Sequence, residues 1–296
     1  MAKPEWLKVS VQGGASDAVR RVLREHGLAT VCEGARCPNV PACWGTGTAT
    51  FLILGEVCTR ACRFCAVSRG KPLPPDPTEP ERLAQAVRAL RLRYVVLTSV
   101  DRDDLPDGGA GHFARCIRAI KEAAPEVQVE ALIPDFAGDG EALRAVVEAG
   151  PEVVGHNLET VRRLTKLVRD RRSGYDLSLR VLGVLKDLRP GMFTKSSLLL
   201  GLGEEEAEVE EALWDLKGAG VDIVVLGQYL RPTPRQLPVA RYVRPAEFAG
   251  WAERARRLGF RAVLAGPLVR TSFRAAQVYE ELTCGSSSTS PFATRP

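Results

Sequence analysis

The sequence predicts an α/β fold, a partial (β/α)6 barrel of the TIM type with an N-terminal extension and a short C-terminal extension. From residue 51 onward, apolar β-branched runs alternate with stretches of helical periodicity, which is typical of βαβ units with a parallel sheet. The 296 residues are 45% hydrophobic and 26% charged, enough to bury one large core. We therefore expect an extension over residues 1–50, the barrel over residues 51–265 and a second extension over residues 266–296.

Each strand is predicted from a short apolar run bounded by turn residues. The strands are expected at 51–54, 94–98, 127–133, 153–156, 194–200 and 222–227, with a further candidate at 262–265. The intervening helices are expected at 79–92, 113–123, 141–149, 175–188 and 204–219. Six such units with right-handed crossovers would leave the barrel open on one side for a large substrate.

Two segments outside this alternation have their own composition. Residues 70–80 are rich in proline and predict a spacer, with Thr78 as the N-cap of the following helix and Pro80 in its first turn. Residues 285–291 are low in apolar side chains and predict a mobile tail.

Six of the eight cysteines form two triplets near the N-terminus. They are Cys32, Cys37 and Cys43, spaced C-x4-C-x5-C, and Cys58, Cys62 and Cys65, spaced C-x3-C-x2-C. A disulfide framework is typical of short secreted chains, and no signal-peptide pattern precedes the first cysteine. Structural zinc would need a fourth ligand, which His26 and His112 do not supply at a suitable spacing. Iron–sulfur clusters are the favoured interpretation, because three thiolates leave one iron open to a substrate or cofactor.

The second triplet follows directly on the first predicted strand, so it lies where α/β barrels place their chemistry. Its spacing, with Phe64 before the last cysteine, resembles the signature of the radical S-adenosylmethionine superfamily. The resemblance implies a 4Fe-4S cluster whose open iron chelates the amino and carboxylate groups of S-adenosylmethionine. It also implies that Phe64 contacts this cofactor.

The first triplet, with Cys37-Pro38-Asn39 within it, closely resembles the lipoyl synthase family. Further matching segments extend over nearly the whole chain, at 98–105 with 107–109, 156–160, 194–196, 201–204 and 228–233. The resemblance implies an auxiliary 4Fe-4S cluster held by Cys32, Cys37, Cys43 and Ser272. Arg270 and Ser272 belong to Arg270-Thr271-Ser272-Phe273, which departs from the family's Arg-Ser-Ser-Tyr at two positions. Phe273 lacks the phenol oxygen, which puts a hydrogen bond around the ligand in doubt more than the ligation itself.

By this resemblance the chain is an enzyme, a sulfurtransferase that inserts two sulfur atoms at C6 and C8 of a protein-bound octanoyl-lysine. The auxiliary cluster would be the sulfur donor, and Arg270 and Ser272 would be catalytic residues. The implied cofactors are two 4Fe-4S clusters and S-adenosyl-L-methionine. The implied partners are an octanoylated carrier domain (2-oxoacid dehydrogenase E2 or glycine cleavage H protein), a reductant such as flavodoxin or ferredoxin, and an iron–sulfur carrier that rebuilds the cluster. The resemblance further implies a monomer.

Several polar residues are expected at or just beyond the carboxyl ends of strands, where they could contact S-adenosylmethionine. They are Thr98, Ser99, Asn157, Glu159, Lys195 and Gln228. Each could equally cap a helix. Leu97, Leu132 and Leu200 could line an apolar slot for the octanoyl chain, although ordinary core is the favoured interpretation.

Other chemistry-bearing residues have simpler interpretations. Cys116 is expected to be a buried apolar filler. Asp101, Asp103 and Asp104 could suggest a divalent metal, yet a loop hydrogen-bond network with Arg102 fits at least as well. Among the histidines, only His156 is expected near a site.

Charge and hydropathy exclude some functions. The net charge of +5 is modest and spread along the chain, which disfavours a nucleic-acid stripe but is compatible with an acidic protein partner. No apolar run approaches the roughly 20 residues of a membrane helix, and we expect a cytoplasmic enzyme. Two alternatives stay open: another radical sulfur inserter, such as a biotin-synthase-like enzyme or a methylthiotransferase, and a non-enzymatic iron–sulfur carrier.

Overall fold

The computed structural model describes residues 3–8, 15–34, 37, 39–45 and 47–284. Over these residues the fold is one seven-stranded sheet whose strands are all parallel and lie side by side in chain order. The strands are β1 Thr48–Ile53, β2 Tyr94–Ser99, β3 Gln128–Leu132, β4 Val153–Gly155, β5 Phe193–Leu200, β6 Ile223–Gln228 and β7 Ala262–Gly266. Among the described residues β1 and β7 do not pair with each other, so the sheet is a partial barrel, and the predicted fold class is confirmed.

The further candidate strand is also confirmed, as β7. The largest difference in bounds is at β1, which begins at Thr48 rather than at residue 51. Thr48 and Thr50 are buried and pair with β2. A β-branched threonine suits a strand as well as valine does, so polarity alone hid the start of this strand.

The helices alternate with the strands as expected. They are α1 Ala15–Glu25, α2 Val31–Gly34, α3 Val40–Gly45, α4 Glu79–Ala89, α5 Ala110–Ala123, α6 Gly140–Glu148, α7 Thr165–Val168, α8 Tyr175–Leu188, α9 Glu206–Gly218, α10 Pro245–Arg257 and α11 Ala275–Cys284. Short 3-10 turns lie at Glu5–Leu7, Phe136–Gly138 and Arg162–Leu164. Thr78 is the N-cap residue of α4 but its side chain caps nothing, because its hydroxyl donates to Asp76 Oδ1 at 2.7 Å. The predicted mobile tail lies outside the described residues.

The two faces of the sheet are covered differently. The outer face packs against the flanking helices and buries Leu97 and Leu200 there. The inner face is filled by α11, whose Ala275 and Tyr279 pack against Tyr94 and Val96. Leu97 and Leu200 are therefore ordinary core, as favoured.

Leu132 faces inward and packs with the group that includes Ala276 and Tyr279 of α11. The C-terminal helix thus occupies the interior of the half-barrel. The edge at the carboxyl ends of the strands is where a parallel α/β barrel places its site.

Candidate cluster-binding site

The second triplet lies on one loop, residues 58–65, which we call the cluster loop. It starts at a two-residue strand, Val57–Cys58, paired with Ser68–Arg69, and it is tied to the end of β2 because Thr59 N donates to Asp101 O at 3.1 Å. Backbone amides point at two of the sulfurs. Arg60 N donates to Cys58 Sγ at 3.4 Å, and Asp170 N donates to Cys62 Sγ at 3.3 Å.

Arg60 holds the cluster loop in place through ion pairs with two aspartates, and we call this group of contacts the clamp. Its guanidinium is buried and donates to both oxygens of Asp135, at 2.6 and 2.7 Å, and to Asp103 Oδ1 at 2.8 Å. Burial raises the pKa of Asp135, but the hydrogen bonds and the charge of Arg60, with a smaller contribution from Ala137 N, together outweigh it and leave this pKa below its ordinary value. Such a bidentate, charge-assisted pair fixes the loop geometrically.

A second arginine extends the clamp to the far side of the loop. Arg172 pairs with Asp103 at 3.1 Å and with Asp170 at 2.9 Å, and it donates to Thr59 O at 2.6 Å. Asp170 in turn accepts from Ala61 N at 2.9 Å. None of Arg60, Asp135, Asp170 and Arg172 was predicted from the sequence. The available signal was Arg60 itself, an arginine inside the C-x3-C spacing of Cys58 and Cys62.

Burial dominates the electrostatics of the three thiols. It raises the pKa of Cys58 to about 11 and that of Cys62 to about 12, and it raises the pKa of Cys65 as well. Reactive cysteines need the opposite shift, so these thiols are poorly suited to act as free nucleophiles. A cation that displaces their protons would stabilise the thiolates. The donor set therefore fits a metal cluster.

The first triplet is built from two short helices. Cys32 lies in α2, Cys43 lies in α3, and Cys37 N donates to Cys32 O at 2.9 Å. Burial raises the pKa of Cys43 to about 11, and the charges of Cys37 and Cys32 contribute to the increase. These sulfurs are therefore close enough to interact, as ligands of one cluster must be.

A segment from the C-terminal end of the chain, residues 268–274, meets this triplet. Asn39 Nδ2 donates to Leu268 O at 2.6 Å. The buried guanidinium of Arg270 acts on Cys37 and lowers its pKa, against a larger increase from burial. Arg274 N donates to Cys43 Sγ. Since the segment contacts the triplet on both sides of Ser272, it brings this half-buried serine to the same site.

A polar bridge connects the two triplets. Asn157 Nδ2 donates to Glu159 Oε1 at 3.0 Å and to Thr271 Oγ1 at 3.2 Å, and Thr271 donates to Ser197 Oγ at 3.2 Å. Glu159 lies close enough to Cys65 for its charge to contribute to the raised pKa of that thiol. Thr271 belongs to the segment 268–274, which contacts the first triplet. Burial raises the pKa of Glu159, and Asn157 Oδ1 is buried without a partner among the described residues. A ligand with a positively charged hydrogen-bond donor would satisfy both the carboxylate of Glu159 and Asn157 Oδ1.

Comparisons with known proteins identify the family of this chain. The model of the radical SAM superfamily matches residues 52–216. Lipoyl synthase from Halorhodospira halophila is 57% identical over 291 residues, 98% of this chain and 87% of that protein. Lipoyl synthase from Thermus thermophilus is 58% identical over 283 residues, 95% of this chain and 88% of that protein. The chain belongs to the lipoyl synthase family of radical SAM enzymes.

Solved structures support the fold. Methylornithine synthase superimposes with a TM-score of 0.52 at 14% identity, covering 84% of this chain and 81% of that one. The FeFe-hydrogenase maturase HydG from Carboxydothermus hydrogenoformans gives a TM-score of 0.56 at 12% identity, covering 90% and 77%. Membership of the radical SAM superfamily implies one 4Fe-4S cluster and S-adenosylmethionine. Within the described part of the chain, no helix is both long and apolar enough to cross a bilayer.

Two residues predicted to contact the cofactor have all their side-chain polar atoms paired within the described residues. Lys195 is the third residue of β5 and not at its carboxyl end, so its predicted position was wrong. It lies inside the barrel, where its ammonium pairs with both oxygens of Glu130 at 2.9 and 3.0 Å. Gln228 ends β6, but its side chain is fully buried and fully used. Its Nε2 donates to three carbonyls, and its Oε1 accepts from Val243 N at 2.8 Å.

The other cofactor candidates stay predictions. Asn157 and Glu159 lie in the bridge between the triplets. Thr98 and Ser99 end β2, and Ser99 Oγ is buried without a partner among the described residues. Phe64 lies on the cluster loop and packs partly against the core beside it.

Two residues outside the two triplets have structural roles. His156 is buried between Ile133 O and Ser178 Oγ, and burial lowers its pKa to about 4, so it is a neutral core histidine. Cys116 is buried, as expected.

The acidic group after β2 serves the loop network, as the favoured interpretation held. Arg102 pairs with Asp104 at 2.8 Å and Arg60 pairs with Asp103. These carboxylates are therefore occupied by guanidinium groups in the described structure.

Glu79, His112 and Cys116 bring three potential metal ligands together. His112 Nε2 and Glu79 Oε2 are 2.7 Å apart, and the same oxygen accepts from Leu54 N at 3.0 Å. Arg115 Nη2 lies 3.3 Å from the other ring nitrogen of His112. The group is a satisfied hydrogen-bond network that ties α4 and α5 to the end of β1.

Proposed function

We propose that the chain inserts two sulfur atoms at C6 and C8 of a protein-bound octanoyl-lysine, with an auxiliary cluster as the sulfur donor. The observation that carries this proposal is the pair of cysteine sites joined by the Asn157–Thr271 hydrogen bond. One site alone would serve many radical SAM reactions. A second cysteine site beside the first is what a reaction that gives up cluster sulfur requires.

Each site has residues suited to its group. Cys58, Cys62 and Cys65 would hold the radical SAM cluster, and Cys32, Cys37, Cys43 and Ser272 would hold the auxiliary cluster. When bound, these groups supply a 5′-deoxyadenosyl radical, from reductive cleavage of S-adenosylmethionine, and the sulfur to be inserted. A serine oxygen is a harder ligand than a thiolate and is more easily displaced from iron.

The protein's own task is to hold the two clusters and the substrate in position and to exclude water. The Arg60 clamp fixes the cluster loop, and the bridge of Asn157, Glu159 and Thr271 fixes the spacing of the two sites. Glu159 and Asn157 Oδ1 offer acceptors to the amino group of S-adenosylmethionine. A tightly held geometry matters because a primary carbon radical attacks the nearest hydrogen.

The partners follow from this chemistry. The substrate would be an octanoylated lipoyl-carrier domain, of a 2-oxoacid dehydrogenase E2 or a glycine cleavage H protein. One-electron donors such as flavodoxin or ferredoxin would reduce the cluster on the cluster loop. An iron–sulfur carrier would rebuild the auxiliary cluster, and the enzyme would work as a monomer.

The experiment is anaerobic reconstitution with iron and sulfide, then incubation with dithionite, S-adenosylmethionine and an octanoyl-lysine peptide. Mass spectrometry should find a doubly thiolated peptide with about two 5′-deoxyadenosines per product, since each C–H bond needs its own radical. Formation of 5′-deoxyadenosine without thiolated peptide would overturn the substrate. Absence of 5′-deoxyadenosine would leave only an iron–sulfur carrier.

A further inference from the structure

A group of exposed cationic side chains lies beside the cluster loop, and we call it the basic rim. It comprises Arg63, Lys166, Arg231 and Arg235, all exposed. Arg63 is itself on the loop, between the ligands Cys62 and Cys65. The other three come from α7 and from the segment that follows β6.

Hydrogen bonds join the elements that carry the rim to the cluster loop. Arg63 N donates to Val168 O at 2.8 Å, and Leu237 N donates to Arg63 O at 3.0 Å. Gln236 Nε2 donates to Cys65 O at 3.0 Å, and Arg231 Nε donates to Gln236 O at 2.8 Å. The rim is therefore separated from the cysteine sulfurs only by the loop that carries them.

The charges of the rim are not neutralised by the protein. Across the described residues, no carboxylate forms an ion pair with any of the four side chains. The neighbouring Arg162 and Arg163 differ, since they pair with Asp176 and with Glu208. Next to Arg63, whose Nη1 donates to Leu167 O, the side chain of Leu167 is 46% exposed. A protein partner of complementary charge could cover this apolar side chain on docking.

We propose that the basic rim docks a small acidic electron-donor protein, which passes one electron to the cluster held by Cys58, Cys62 and Cys65. The donor is oxidised by one electron and the cluster is reduced by one, with no bond made or broken. Complementary charge would speed the encounter and orient the donor. The inference rests on the proposed function only in requiring a reducible cluster at this triplet.

The position of the rim favours the electron donor over the octanoylated carrier. A donor needs access to one triplet, and within the described residues the elements of the rim hydrogen-bond to the cluster loop and not to the first triplet. An octanoyl chain must reach both triplets, and these meet at the bridge of Asn157 and Thr271 and the segment 268–274. The rim contacts the loop from α7 and from the segment after β6 instead.

The test reverses two rim charges that make no side-chain hydrogen bond in the described structure, in Lys166→Glu/Arg235→Glu. The matched control, Arg118→Glu/Arg256→Glu, reverses two exposed and equally unpaired charges on α5 and α10, so both proteins change net charge equally. Binding of reduced flavodoxin to the reconstituted holoenzyme is measured by biolayer interferometry at two salt concentrations. The rim variant should bind about tenfold more weakly than the control at low salt, and the gap should shrink at high salt.

A second readout separates docking from chemistry. The rate of cluster bleaching should fall in the rim variant when flavodoxin is the donor and stay unchanged when dithionite is the donor. Equal flavodoxin binding in the rim variant and the control would overturn the proposal. So would unchanged flavodoxin binding with a higher KM for an octanoylated carrier domain under dithionite, which would make the rim the carrier's surface. Rim-dependent reduction by flavodoxin in an enzyme that never thiolates its peptide would instead refute the proposed function alone.

Discussion

The two cysteine sites are built in opposite ways. The second triplet spans eight residues of one loop, and a network of arginines and aspartates surrounds it, with Arg60 joined to Asp135 at 2.6 Å. In the first triplet, Cys32 and Cys43 lie on two short helices. A segment far along the chain completes this site, through the contact between Asn39 and Leu268. A local loop with a rigid clamp suits a group that stays through turnover. A site assembled from both ends of the chain suits a group that is opened and rebuilt.

The largest expected effect separates the two sites. Cys62→Ala should abolish formation of 5′-deoxyadenosine, because it removes one of three thiolates from the cluster loop. Cys37→Ala should keep that activity and abolish thiolation of the peptide. Both products are quantified in one assay by mass spectrometry. Cys116→Ala, a cysteine of neither site, is the control and should keep both activities; loss of 5′-deoxyadenosine in Cys37→Ala would show that the sites are not separable.

The clamp is tested next, by Asp135→Asn. This change leaves the buried guanidinium of Arg60 without its closest carboxylate, which should cost about 3 kcal/mol of unfolding free energy. Urea unfolding of the cluster-free protein measures it. Glu253→Gln, at a pair with Arg257 in which both side chains are exposed, is the control and should cost less than about 1 kcal/mol. An equal loss in both variants would mean that the clamp is no stronger than a surface pair.

At the first site, Ser272→Ala should leave cleavage of S-adenosylmethionine largely intact while it impairs sulfur insertion by tenfold or more, as loss of a metal ligand or its close support does. Thr271→Ser keeps a hydroxyl for Asn157 and is the matched control. Phe273→Tyr restores the family's phenol and should change little. Mössbauer spectra of the reconstituted protein follow the auxiliary cluster directly, and unchanged spectra with unchanged thiolation in Ser272→Ala would remove the serine from the ligand set.

The effect that is smallest near neutral pH concerns His156, which is buried within range of the charges of Asp135 and Arg60. Its pKa is lowered to about 4 by burial, while an unfolded histidine titrates near 6.5. As the pH falls below about 6.5, the unfolded chain takes up a proton that the folded chain refuses, so stability should fall by up to about 3 kcal/mol by pH 4. His156→Gln should flatten this part of the urea-midpoint profile relative to His26→Gln. If His156→Gln left the slope unchanged, the loss of stability at low pH would come from the carboxylates instead.

Much of the fold could be predicted from the sequence. The β-branched runs predicted every strand of the seven-stranded sheet to within a few residues. The triplet of Cys58, Cys62 and Cys65 could be recognised because its members are close in sequence. Lys195 was expected at the carboxyl end of its strand, although the predicted strand 194–200 already had it near the start. That this buried lysine points into the barrel could not be predicted either, because a parallel strand covered on both faces has no apolar–polar alternation that shows which side chains face inward.

The sequence by itself determined the strand–helix alternation, the two cysteine triplets and the family to which they point, since each depends on spacing along a short stretch of chain. Only the tertiary structure decided that Arg60 would clamp the loop, that α11 would fill the half-barrel, and that Thr271 would meet Asn157 between the sites. These contacts join residues far apart in sequence, and they form only when the sheet brings the carboxyl ends of its strands to one edge. No local pattern encodes them.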